Sequence, residues 1–121
     1  MATRRAIVGL VGLAAAAALA MQAAGVRSGD RLGPQVASAA RPGDIRMIAS
    51  VTCVYCAAAR AWFGAHGVPF TECLIERDAA CADQYRALLA PGTPVLLVRG
   101  RRLVGFSAQA VADALASTRE Q

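Results

Sequence analysis

Ile45-Arg46-Met47-Ile48-Ala49-Ser50-Val51-Thr52-Cys53-Val54-Tyr55-Cys56 is the stretch on which the reading of this chain turns. Its first half is mostly apolar, as a short central strand covered on both faces should be. Its second half places two cysteines three residues apart where the pattern changes to helical. Ala57, Ala58, Ala61, Trp62 and Ala65 recur at spacings of three and four, which predicts an apolar stripe on a helix from Val54 to about His66. At the start of such a helix, unpaired N–H groups and the positive end of the macrodipole favour a thiolate on Cys53. Cys56 lies one turn later, within disulfide reach. This pairing suits attack by Cys53 on an external disulfide and resolution by Cys56.

Outward from that motif the elements follow in order. Gly64 and Gly67 end the first helix, and Phe70 to Ile75 reads as a second strand introduced by Pro69. Asp78 or Ala80 opens a second helix carrying Tyr85, Leu88 and Leu89 on one face, broken by Pro91-Gly92. Val95 to Val98 and Arg102 to Val104 read as a hairpin about Arg99-Gly100. Ser107 is an N-cap for a last helix through Ser117, with Val111, Ala114 and Leu115 inward. The order is βαβαββα: a four-stranded mixed sheet flanked by three helices, in a domain spanning residues 45–121. A core of this size is marginal and gains from a staple.

Cys73 and Cys81 supply a candidate staple. Closing so short a loop stabilises by roughly 2–3 kcal/mol in the chain-entropy model. A second redox pair, relaying electrons from Cys56, is the functional alternative. A zinc site built from all four cysteines is a third reading, weakened because Cys73 and Cys81 lack the short knuckle spacing. Haem attachment is excluded, because Ala57 and not His follows Cys56. Thr93-Pro94 precedes the third strand. A cis bond there would expose the Thr93 backbone to an extended substrate, whereas a trans bond would make it an ordinary strand-initiating proline.

The N-terminal third reads as a delivery segment. Met1 to Arg5 is basic, and Ala6 to Met21 is an unbroken apolar run with small residues after it. Residues 1–24 therefore read as a signal peptide, with a membrane anchor over residues 6–26 as the competing reading. Residues 25–44, rich in Gly, Pro, Ala and Ser, read as a flexible linker without a core of its own. Both readings of the leader place the domain outside the cytosol, periplasmic or otherwise extracytoplasmic, where disulfides persist.

Composition narrows the chemistry. The chain has 121 residues and a formal net charge of +5, and none of its 13 basic residues is Lys. Schiff-base chemistry and a Lys-dependent phosphate loop are excluded. A single His, His66, excludes His-pair catalysis and a His-rich metal cage. Five Arg and two Asp fall in residues 1–44, so the remainder is only weakly basic, and six aromatics do not make a stacking platform. That layout argues against nucleic-acid binding. Arg99, Arg101 and Arg102 read as a solvated hairpin, and His66 as an exposed helix end suited to the dipole.

The combination of Cys53-Val54-Tyr55-Cys56 after a strand, His66-Gly67-Val68-Pro69-Phe70 into the second strand, Thr93-Pro94-Val95 before the third, and Gly105-Phe106-Ser107 into the last helix resembles the glutaredoxin branch of the thioredoxin superfamily. The likeness covers roughly residues 45–117. It implies an α/β thioredoxin fold, Cys53 as nucleophile, Cys56 as resolving thiol, and a cis Pro94 beside them. It implies substrate contacts at Tyr55, Thr93, Pro94, Gly105, Phe106 and Ser107, no bound cofactor or metal, and a monomer acting on protein or small-thiol disulfides with a separate electron donor or acceptor. Glutathione is the co-substrate this family suggests. Against it stand Ser50-Val51-Thr52 where many glutathione users carry a Lys, and Ser107-Ala108 where they carry an acid. Val54 stands where Pro is usual. The competing class is a non-catalytic redox-sensing or zinc-binding module using the same cysteines.

Overall fold

The computed structural model describes residues 9, 11–18 and 31–117, which fall in two compact units, residues 1–31 and 32–121. In the first unit, residues 11–18 are helical and exposed. Among the described residues, no helix is long and apolar enough to cross a membrane. The leader's basic start and most of its candidate cleavage region lie outside the described residues.

The second unit is built on four strands: β1 (Ile45–Ala49), β2 (Thr71–Leu74), β3 (Val95–Val98) and β4 (Arg101–Val104). Their order is β2-β1-β3-β4, with β1 parallel to β2 and antiparallel to β3, and β3 antiparallel to β4. Between them run α2 (Val54–His66), α3 (Ala79–Ala87) and α4 (Ala108–Ser117). Each element lies within a residue or a few of its expected place. A crossover helix is required between β1 and β2 because parallel neighbours cannot be joined by a tight turn. The β3–β4 hairpin closes on Arg99 and Gly100, both at positive φ.

Strand alternation sorts the core into two layers. Ile45, Met47 and Ala49 face a cluster with Cys56, Ala59, Phe63, Val111 and Leu115. Ile48 and Val95 face the other way, against Cys81 with Cys73, Tyr85 and Leu88 around them. So α2 and α4 cover one face, and α3 covers the other.

Three expectations about the helical segments require correction. The first concerns the linker. Residues 31–39 form a further helix, α1, whose Val36 is fully buried in the larger cluster, with Leu32, Ala37 and Ala39 packed around it and Ala40 nearly buried. Leu32, Val36 and Ala40 recur every four residues, a core-facing stripe. The Gly33-Pro34 dipeptide disguises it as a linker. The second correction concerns α2. Ala57, Ala58, Ala61 and Ala65 are exposed, while Cys56, Ala59 and Phe63 are buried. A helix with so many alanines gives little polar contrast, so its inward face is chosen by the large ring of Phe63. The third concerns Leu89, which leaves the expected face of α3, is 86% exposed and adopts φ 52.

Gly33 is present for a packing reason. A Cβ on it would lie 2.0 Å from His66 Nδ1. That imidazole is itself held against Trp62, ring centroids 4.6 Å apart, so His66 is half-buried rather than an exposed helix end. Elsewhere in a helix, Gly→Ala gains roughly 0.5–1 kcal/mol. Here Gly33→Ala is expected to cost about 1–3 kcal/mol by overpacking. Denaturant unfolding measures it, and His66→Ala in the same chain should restore the gain.

Candidate functional site

The site assembles at one end of the sheet, because the register puts four chain segments there. Ile48 pairs with Val95, so the end of β1 meets the start of β3. Val95 pairs with Val104, which brings in the end of β4. Ala49 pairs with Leu74, which brings in the end of β2. The loop out of β1 closes when Cys53 N–H donates to Ser50 O at 3.3 Å, and α2 begins at the next residue.

Cys53 is the N-cap of α2. Its φ and ψ are −90° and 107°, and its sulfur accepts the Cys56 backbone N–H at 3.1 Å. A sulfur in this position takes the role usually filled by a Ser or Asp oxygen. In the reduced protein the same N–H and the helix N-terminus favour negative charge on Cys53. Cys53 and Cys56 are joined as a disulfide, Cα–Cα 5.2 Å. The two sulfurs differ in access: Cys53 is half-buried at the rim, and Cys56 is fully buried beneath.

The Thr93-Pro94 peptide bond is cis. Pro94 is fully buried, and its carbonyl accepts Gly105 N–H at 2.8 Å. Gly105 has φ 79, a conformation that costs glycine little and other residues more. Thr93 is half-buried beside this bond. Tyr55 is 69% exposed next to Cys53. Two other residues expected at the site are occupied in packing. Phe106 sets its ring 5.6 Å from Trp62 and 5.5 Å from Phe63. The Ser107 hydroxyl accepts Ala110 N–H at 3.3 Å, capping α4.

One contributor escaped sequence reading. Glu76, in the turn after β2, accepts a short hydrogen bond from the Ser50 hydroxyl and a second from Val51 N–H at 3.2 Å. The Ser50 bond, more than the others, holds its carboxyl below the usual range. A Glu 23 positions after Cys53 offers no signal in sequence, because only the parallel β1–β2 pairing brings it across.

Cys73 and Cys81 form the second disulfide, S–S 2.04 Å and Cα–Cα 6.0 Å. It lies on the α3 face of the sheet, whereas Cys56 lies on the α2 face. The sheet stands between them, so direct thiol exchange between the pairs has no path. Asp78, the N-cap of α3, bonds Cys81 N–H through its carboxylate at 3.2 Å, and the bridge ties that helix start to β2. Cys73→Ser is accordingly expected to lower stability by about 2–3 kcal/mol while leaving disulfide exchange at Cys53 within about twofold. Loss of exchange in a folded Cys73→Ser protein would restore the relay reading.

A disulfide at a strand–helix junction and a cis-proline at the start of β3, on a β2-β1-β3-β4 sheet, make up the arrangement of the thioredoxin fold. Residues 45–103 match the family model described as Glutaredoxin, so over that span the chain is similar to glutaredoxins. Among solved structures, the thioredoxin-like protein BC3987, crystallised as a point mutant, is similar with a TM-score of 0.55 and 20% identity. The match covers 61% of this chain and 96% of that one, and at this identity it bears on the fold alone. No curated protein matches the chain. The Glutaredoxin match and the Cys53–Cys56 pair together point to thiol–disulfide redox activity.

Proposed function

We propose that the domain is an exported thiol–disulfide oxidoreductase acting by dithiol exchange, with Cys53 as nucleophile and Cys56 as resolving thiol. The observation that carries this reading is the Cys56 N–H bond to the Cys53 sulfur at the start of α2. The Cys53 thiolate attacks one sulfur of a substrate disulfide, forming a mixed disulfide and expelling the other sulfur as thiolate. Cys56, deprotonated, then attacks Cys53 Sγ and releases the second thiolate. The substrate gains two electrons, the pair is left oxidised, and an external dithiol restores it. Run backwards, the same steps oxidise a substrate dithiol.

The Thr93 backbone beside cis Pro94 supplies pairing for an extended substrate chain, and Tyr55 lies where such a chain passes. No bound cofactor or metal takes part, and the protein works as a monomer, delivered outside the cytosol by residues 1–24. The zinc-module alternative has less support. Among the described residues, no group of three or more His, Cys, Asp or Glu side chains is arranged to hold a metal. The test is reduction of a disulfide substrate by the reduced protein and by its Cys53→Ser variant. Exchange that survives the substitution rejects the proposal.

A further inference from the structure

The three segments that frame the Cys53–Cys56 disulfide, residues 50–56, 89–95 and 103–107, contain no Arg and no Lys. The frame's exposed side chains are largely apolar: Val51 50%, Val54 74%, Tyr55 69% and Val104 49%. Scattered exposed apolar residues are ordinary, but Val51, Val54 and Tyr55 lie within two residues of Cys53, and Val104 pairs with Val95 at the same end of the sheet. A substrate sulfur must come within bonding distance of Cys53, so the groups beside that sulfur have to lie across this frame.

One charged side chain is bonded into the frame. Glu76 holds Ser50 and Val51, the residues three and two places before Cys53. Arg77 follows it and forms no ion pair with it among the described residues, but its charge acts on the Glu76 carboxyl, the smallest of the effects that lower it. Arg60, the cation on α2, is committed to Glu72 through two bonds of 2.9 and 2.6 Å. An anionic substrate approaching Cys53 therefore meets a carboxylate and finds no cation in the framing segments.

We infer that Glu76 is the specificity-determining residue of this site: it disfavours anionic disulfides and leaves the site to neutral or cationic disulfides carried on apolar polypeptide segments. This names the substrate class of the exchange reaction and rests on that reading. An apolar flank buries surface against Val51, Val54, Tyr55 and Val104, at roughly 25 cal/mol per Å². A carboxylate flank gains nothing comparable there and meets the like charge of Glu76, an interaction that salt screens.

The test uses the reduced full chain and three small disulfides: cystamine, which is cationic, hydroxyethyl disulfide, which is neutral, and glutathione disulfide, which is anionic. The second-order rate of Cys53–Cys56 disulfide formation is followed by thiol trapping. Glu76→Gln keeps an amide oxygen for the Val51 N–H, turns its NH2 to the Ser50 hydroxyl, which accepts as well as donates, and removes the charge. It is expected to lower the cystamine-to-glutathione-disulfide rate ratio about fivefold, with the neutral probe changed by less than about twofold. Salt at roughly 0.5 M should shrink the wild-type ratio and leave the variant's almost unmoved. Arg77→Gln should widen the ratio. A ratio that ignores Glu76→Gln, or equal losses on all three probes, overturns the inference and leaves Glu76 a structural tether. Failure of the wild-type protein to react with any probe would instead reject the exchange reading, and this one with it.

Discussion

Cys53→Ser removes thiol–disulfide exchange altogether, by more than about a thousandfold, while the fold persists. The serine hydroxyl can still accept Cys56 N–H and cap α2, so the helix start survives. What it cannot supply is a soft nucleophile ionised near neutral pH. Cys56→Ser gives the opposite signature. Attack proceeds, resolution does not, and the mixed disulfide with substrate accumulates on Cys53, where non-reducing electrophoresis shows it. The asymmetry follows from access: the substrate meets the sulfur at the rim, and the fully buried Cys56 acts only inward. Alkylation of the reduced protein supplies a further check. Cys53 should stay reactive at pH values where an ordinary cysteine is protonated. Alkylation of Cys53 with the pH profile of a free thiol would remove the basis of the assignment.

The parts of this molecule legible in sequence are those written in local pattern. The apolar run at Ile45, the break at Cys53, the glycine ending α2 at Gly67, the N-caps Asp78 and Ser107, and Thr93-Pro94 each announce themselves within a few residues. They were enough to place all four strands and three helices. What sequence concealed depends on partners far along the chain. Nothing near Leu32 and Val36 says that a sheet beginning at Ile45 needs another cover, and the Gly33-Pro34 pair argues locally for a linker. Whether Ala58 or Ala59 faces inward is decided by where Phe63 must go. The carboxylate of Glu76 reaches the Cys53 loop only because β1 and β2 run parallel with Ala49 beside Leu74. The same distance effect hid Arg99, which composition and turn chemistry assign to solvent.

Arg99 carries the largest stability effect expected of any polar side chain here. The reading of it as part of a solvated hairpin fails. Its guanidinium reaches Leu115 O at 3.0 Å on α4, Ala39 O at 3.2 Å at the end of α1, and Asp44 Oδ2 at 3.0 Å before β1. Its own N–H donates to Asp44 O at 2.7 Å. One side chain thus satisfies the carbonyls at two helix ends and pairs the carboxylate that leads into the central strand. Both partners of the ion pair are about one-fifth exposed, so it is screened less than a surface pair. Arg99→Ala is expected to cost about 2–4 kcal/mol, because it leaves Asp44 with only the Arg41 N–H as partner among the described residues and takes the guanidinium donor from two half-buried carbonyls. For a domain of this size the melting temperature should fall by about 10–20 °C. Arg99→Gly is the informative companion. It relieves the positive φ of 50 at this turn, so any loss it shows belongs to the guanidinium. The effect also depends on pH. The Arg99 hydrogen bond, chief among the causes, holds the Asp44 carboxyl below its ordinary value. A depressed folded-state value means stability that is present above about pH 4 and lost as pH falls through the folded-state value. The gap between wild type and Arg99→Ala should therefore be widest near pH 7 and narrow toward pH 2–3, as urea midpoints across that range would show. A gap independent of pH would assign the loss to the two carbonyl bonds alone, and a Tm within about 2 °C of wild type would return Arg99 to the solvent.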